Sequence, residues 1–140
     1  MFKTILFLSS VFFLFSGCHL NTPATKQLTA TISGIYKGQW HCVKSNHTGP
    51  ITCNLKKKSD NTYNAKFYGF YAHVIPFWYN VKFDFKQSDR DLWHAKGDCD
   101  LGWLGGGKYT FDCQINKDTF TVTYDAKASA GTFDMKRKTE

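Results

Sequence analysis

The sequence predicts an all-β domain: a single eight-stranded antiparallel up-and-down meander that closes into a small barrel, with two adjacent-strand disulfides. Three observations lead there. The chain holds 13 Phe, 7 Tyr and 4 Trp in 140 residues, while Glu140 is its only Glu. It is therefore rich in residues that suit a pleated, half-buried surface and poor in those that suit helix surfaces. From Ile35 onward large and polar residues alternate, with turn signals every ten to fifteen positions. Finally, the connections between alternating runs are too short for a crossover helix, so sequence neighbours pair antiparallel. The length suits one domain.

The first element is an address. Met1-Phe2-Lys3 is a short basic start, and Thr4 to Phe15 is an apolar run. About a dozen residues are too few for a span of ~20 but fit a secretory signal. The run ends in Leu14-Phe15-Ser16-Gly17-Cys18. This resembles the lipobox of bacterial lipoproteins, although Phe15 stands where that family favours Leu. The resemblance implies a signal peptide over 1–17, a lipidated, palmitate-bearing Cys18 as the mature N-terminus, and a place in the cell envelope: an outer-membrane lipoprotein facing the periplasm. Cleavage there leaves 123 residues and, with Lys3 gone, lowers the formal charge from +7 to +6. Residues 18–33 are polar, Thr-rich and without apolar periodicity, and read as a flexible tether. The domain proper is 34–140.

Strands are expected at 35–44, 50–58, 62–72, 77–86, 91–101, 108–115, 119–126 and 131–138. The turns between them carry Asn46-His47-Thr48-Gly49, Ser59-Asp60-Asn61, a Val74-Ile75-Pro76 corner, Ser88-Asp89-Arg90, Gly105-Gly106-Gly107, Asn116-Lys117-Asp118 and Ala128-Ser129-Ala130. If 46–49 closes the first hairpin, Cys42 faces Cys53. If the three glycines close the fifth-to-sixth hairpin, Cys99 faces Cys113. With Cys18 set aside, an even number of thiols remains for an oxidising compartment, and both bridges are expected.

The same count sorts the two faces. Tyr36, Trp40, Leu55, Phe67, Tyr79, Phe83, Phe111, Phe120, Tyr124 and Phe133 fall inward, while Lys37, Lys66, Asp84, Lys96, Asp98, Asp112 and Lys136 fall outward. Tyr68, Phe70 and Trp78 form an aromatic group on the outer face. Inward Gly38, Ala65, Gly69, Ala95, Gly97 and Ala126 either carve a ligand cavity or let large rings pack, since an eight-strand interior holds side chains or one small ligand.

Gly38-Gln39-Trp40 on the first strand and Arg137 on the last resemble the calycin arrangement of lipocalins, fatty-acid-binding proteins and avidins. That resemblance implies barrel-end closure by Arg137 stacked on Trp40. The terminal Gly131-Thr132-Phe133 strand is similar to that of small, functionally uncharacterised bacterial envelope proteins, which implies no activity.

In a meander the N-terminal tether and alternate turns share one end, so the other turns point away from the anchor. That distal end offers His47, His73, Ile75, Pro76, Trp103 and Leu104 as candidate partner-binding residues on rigid loops. Catalysis finds little footing. There is no nucleophile motif, the strand aspartates face outward, and His19, His41, His47, His73 and His94 lack ligand spacing. No cofactor is called for. A metal site is not expected, Asp98, Asp100 and Asp112 being the one weak candidate because the expected register opposes Asp100 and Asp112. Dispersed lysines (16 of 18 basic residues) give no nucleic-acid footprint. The reading is a non-enzymatic, membrane-anchored binding module engaging an envelope protein through its distal loops. One alternative is an inhibitor of a cell-wall hydrolase, by similarity to the lipoprotein barrels that block lysozyme. The other is a calycin-like carrier of a small apolar ligand.

Overall fold

The computed structural model describes residues 31–139; the expected signal peptide, the expected lipidation site at Cys18 and the expected tether up to residue 30 lie outside the described residues. Alternation produces nine strands: β1 (Gly34–Cys42), β2 (His47–Lys57), β3 (Thr62–Tyr71), β4 (Ile75–Asp84), β5 (Lys86–Asp89), β6 (Leu92–Asp100), β7 (Lys108–Asn116), β8 (Thr119–Ala126) and β9 (Ala130–Arg137). They form one antiparallel sheet in the order β4-β3-β2-β1-β9-β8-β7-β6-β5. The β1–β9 ladder joins the first strand to the last, so the meander curls into a barrel whose two outermost strands are consecutive in the chain.

The ninth strand comes from a break in the fourth. Phe85 interrupts the run expected over 77–86: its ring is fully buried and its N–H donates to Asn61 O at 2.9 Å. The chain resumes as β5, which pairs with the start of β6 through a bulge between Gln87 and Asp89. Between β4 and β6 there is packing but no ladder. They approach at Gly97, where an added Cβ would lie 2.7 Å from the Phe83 ring and 3.1 Å from Lys82 O. The barrel thus has one seam.

The inward set matches the alternation, from Tyr36 and Leu55 to Phe120 and Met135, and no polar or charged residue is buried among the described residues. The lower half, where residues 31–33 lie, is filled by buried side chains at its centre, with a polar cleft of about 510 Å³ at its edge between Thr31, Lys57, Asp60, Tyr63, Lys86 and Trp93. Tyr36, Leu55, Phe83, Phe85, Cys113, Ile115, Phe120 and Val122 are all at 0% exposure, and each such apolar side chain contributes about 1.5–3 kcal/mol on burial. The tether's last residues belong to this end rather than to a linker. Ile32 is buried, its carbonyl accepts from the Tyr36 hydroxyl at 2.7 Å, and Ser33 Oγ accepts from Lys57 N–H.

The expected disulfides are not formed; Cys42, Cys53, Cys99 and Cys113 are free thiols. The first hairpin turns at 43–46, with Asn46 at φ 55°, so Cys42 faces His47 and Cys53 faces Tyr36. The two thiols are six rungs apart, about 20 Å at ~3.4 Å per residue. The β6–β7 connection is seven residues, 101–107, so Cys99 faces Tyr109 and Cys113 faces Ala95, four rungs away. A disulfide tolerates no more than ~7 Å between Cα atoms. Both displacements are even, so every side chain kept its expected face while every cross-strand partner changed.

The calycin-like closure also fails in detail. Arg137 faces Tyr36, and Trp40 faces Phe133, four rungs along. The Arg137 guanidinium lies 5.3 Å from the centre of the Tyr36 ring. It donates to Tyr36 Oη at 2.8 Å and to the carbonyls of Ser33 and Thr31 at 3.1 Å, with Asp118 at 3.5 Å from Nε. Arg137 closes the lower end, with Tyr36 as its stacking partner in place of Trp40.

Candidate functional site

Above the packed lower half the interior opens. The turn at 43–46 and the loops at 72–74, 101–107 and 127–129 surround the mouth of a cavity of about 1110 Å³. Six strands contribute positions near their upper ends: Trp40 and Cys42 from β1, Tyr71 from β3, Phe77 and Tyr79 from β4, Tyr109 from β7, Tyr124 from β8 and Phe133 from β9. Leu101, Leu104, Gly105, Ala128 and Ser129 complete the rim from the loops. On the seam side, Pro76 and Trp78 of β4 border it as well.

The walls are largely aromatic. Phe77 stacks on Tyr79 (6.1 Å between ring centres, 14° between planes), Tyr79 on Phe111 (5.9 Å, 22°) and Phe111 on Tyr109 (6.3 Å, 18°). Opposite, Trp40 stacks on Tyr71 (5.9 Å, 15°), and its indole N–H donates to Phe70 O at 3.0 Å. Gly49 makes that bond possible. A Cβ there would meet Phe70 O at 2.5 Å and Trp40 Nε1 at 2.6 Å, so this glycine serves a close approach instead of the turn the sequence suggested.

Few polar groups reach the cavity. Cys42 Sγ lies 3.4 Å from Ser129 Oγ, and the Tyr124 hydroxyl donates to His41 O at 3.3 Å. Burial works against ionisation of the Cys42 thiol. Hydrogen bonds from Ser129, from the side chain and N–H of Ser45 and from the Lys44 N–H outweigh it and bring the pKa from 9.0 down to about 6. Burial raises the phenols instead: Tyr124 to about 12 and Tyr79 well above its ordinary value. Burial also pushes the Cys53 and Cys113 thiols up. The Tyr79 hydroxyl, which faces the cavity, has no hydrogen-bond partner among the described residues.

The loops are tied together without disulfides. Lys44 Nζ donates to the carbonyls of Ala126 and Lys127 at 2.9 and 3.0 Å, fastening the first turn to the 127–129 loop, and Val43 N–H donates to Ala130 O. In the 101–107 loop, Asp100 Oδ1 accepts from Gly102 N–H at 2.8 Å, and Gly102, Gly106 and Gly107 supply the positive φ angles.

The six residues expected at the distal end do lie there. His47 holds Tyr71 through Nδ1 at 3.2 Å, His73 sits in the 72–74 turn at φ 62°, and Ile75 and Pro76 begin β4. Trp103 and Leu104 are 88% and 82% exposed. Pro76 and Leu104 line the cavity, while the other four do not. Alternation placed Trp40, Tyr79, Tyr109, Tyr124 and Phe133 inward, yet gave no sign that they surround space. Cys42 and Ser129 were missed as neighbours because the first register was displaced.

The acidic candidate dissolves for the same reason. Asp112 faces Lys96, with 3.6 Å between Nζ and carboxylate, Asp100 faces Lys108 and Asp98 faces Thr110. Each carboxylate facing Lys has a cation opposite, so no like-charge cluster exists to recruit an ion. Among the described residues, no group of three metal-ligating side chains comes together.

No protein-family model matches the sequence, and no characterised protein matches it. Among solved structures the chain is similar to two variants of the fluorescent protein UnaG, each substituted at one asparagine. They are 13% and 12% identical, with TM-scores of 0.44 and 0.43, over 78% of this chain and 97% of theirs.

Proposed function

We propose that the protein is a non-enzymatic binding module that carries a small apolar molecule in the upper half of its barrel, loaded through the loop-bearing end. One observation carries this reading: a cavity of about 1110 Å³ walled by stacked aromatic rings, directly above an interior packed solid. A chain able to bury Phe83, Phe85 and Phe120 completely does not leave such a volume for want of large side chains, and native interiors otherwise pack to crystal-like density. The lipobox-like run ending at Cys18 supports a tethered carrier in the cell envelope. Residues 31–33 lie at the lower end, so an anchor at Cys18 would leave the mouth facing away from it.

A second reading, docking of an envelope protein on the loops, is favoured by the exposure of Trp103 and Leu104 beside the mouth. Native mass spectrometry of the protein purified from its own envelope separates the two. The carrier reading predicts a complex heavier than the bare chain by one small molecule. Only bare chain, or chain with a second protein, contradicts it.

A further inference from the structure

The apolar molecule's charge can be read from what the cavity lacks. Taking the carrier reading as its basis, we infer that the cavity selects uncharged apolar molecules and rejects their anionic counterparts, carboxylates and sulfonates included.

Among the described residues, no lysine, arginine or histidine lines the cavity. Apart from the Cys42 thiolate, the interior as a whole holds no buried charged residue among those described. The one guanidinium that reaches inward, Arg137, is at the opposite end and is already engaged by Tyr36, Ser33, Thr31 and Asp118. Of the lysines next to lining residues in sequence, Lys44 is committed to the carbonyls of Ala126 and Lys127, while Lys108 and Lys127 are exposed and do not line the cavity. An anion entering this space would surrender its hydration and find no cation, which is the most unfavourable way to bury a charge. The Cys42 thiolate at the wall adds repulsion to desolvation.

The polar groups present suit a neutral guest. Tyr79 lines the cavity, is partly buried, and its hydroxyl makes no hydrogen bond among the described residues, so it offers a donor to a carbonyl, ether or ring nitrogen. Burial keeps that phenol protonated, hence a donor, across the neutral range. Aromatic rings supply much of the lining, Phe77, Tyr79 and Tyr109 belonging to one stacked row that runs on through Phe111, so an uncharged aromatic guest gains ring contacts there.

The test uses two fluorescent probes with one skeleton, N-phenylnaphthylamine and anilinonaphthalenesulfonate, which differ by a sulfonate. The neutral probe is titrated into the full domain to give its Kd. The anionic probe is then scored as a competitor, so that binding on the lysine-rich outer surface does not count. The expected result is a competitive constant for the sulfonate at least about tenfold weaker than the Kd of the neutral probe. A sulfonate that competes equally or better overturns the inference and leaves the carrier reading standing. Binding of neither probe removes the carrier reading itself.

Discussion

Cys42 provides the sharpest chemical prediction. Its pKa of about 6 means that at pH 7 the thiol is about 90% ionised, against about 1% for an ordinary thiol of 9.0. That is a ~90-fold gain in thiolate, but nucleophilicity falls with basicity at a Brønsted slope of about 0.4–0.5, which removes a factor of about 16–32 over three units. The net advantage is only about three- to sixfold, and Cys42 is 6% exposed, which slows any reagent. Absolute rate is therefore a poor diagnostic, and the pH midpoint is the good one. Iodoacetamide labelling of the folded protein, quantified by peptide mass mapping, is expected to modify Cys42 with a rate that rises through pH ~6 and levels off above it. Cys53 and Cys113, both at 0% exposure, should stay unmodified until the chain is unfolded. Ser129→Ala removes one hydrogen bond to the sulfur and should raise the midpoint by about one unit, the equivalent of about 1.4 kcal/mol. A midpoint at 8.5 or higher in the parent protein, or labelling of Cys53 as fast as Cys42, would refute the account of this site.

Two further outcomes concern stability. Gly38→Ala places a methyl group against the backbone of Asp134 and Met135 in the β1–β9 ladder, where only strand separation could make room, and should cost about 1–3 kcal/mol or more in urea unfolding; an unchanged midpoint would mean that ladder is not as close as described. The protein should also lose stability in base. Burial raises Cys53, Cys113, Tyr36 and Tyr124 above their unfolded values of 9.0 and 10.0, so the stability each contributes is complete below those values and is lost as pH rises towards the folded pKa. Each group removes about 1.4 kcal/mol per pH unit once its unfolded form ionises, so by pH 10 the two thiols together cost about 2.7 kcal/mol. Urea midpoints that stay level from pH 8 to 11 would contradict this.

Much of the barrel is legible in the amino-acid order. Because side chains alternate strictly, Leu55, Phe67, Phe111, Ile115 and Phe133 can be placed inward without knowing any turn. Register is another matter, since it depends on which residues occupy the turn. Gly49 looked like a turn glycine but is needed where Trp40 reaches Phe70, and the triple glycine closes only the last part of a seven-residue loop that begins at Leu101. Those two misreadings moved the hairpins by six and four residues, and with them the disulfides and the acidic cluster.

The cavity was legible only as a possibility, and its cause differs from the one the small residues suggested. Gly38 admits the β9 backbone, while Gly69 and Gly97 admit the rings of Phe77 and Phe83. None of these three holds space open. The space arises at the loop-bearing end, where the turns and loops surround the mouth, a property of three-dimensional closure that periodicity along one strand does not encode. Trp40 illustrates the limit, because its inward direction was readable and its partners were not.

The central claim, an open apolar chamber above a solid base, is tested most directly by a nitrogen–proton correlation spectrum recorded while N-phenylnaphthylamine is titrated in. The account predicts that the Trp40 indole resonance and the amides of Cys42, Tyr79, Tyr109, Tyr124 and Phe133 shift progressively, while those of Leu55, Phe85 and Ile115 do not. Perturbations confined to the outer face around Lys66 and Tyr68, or an unchanged spectrum at saturating probe, would contradict it.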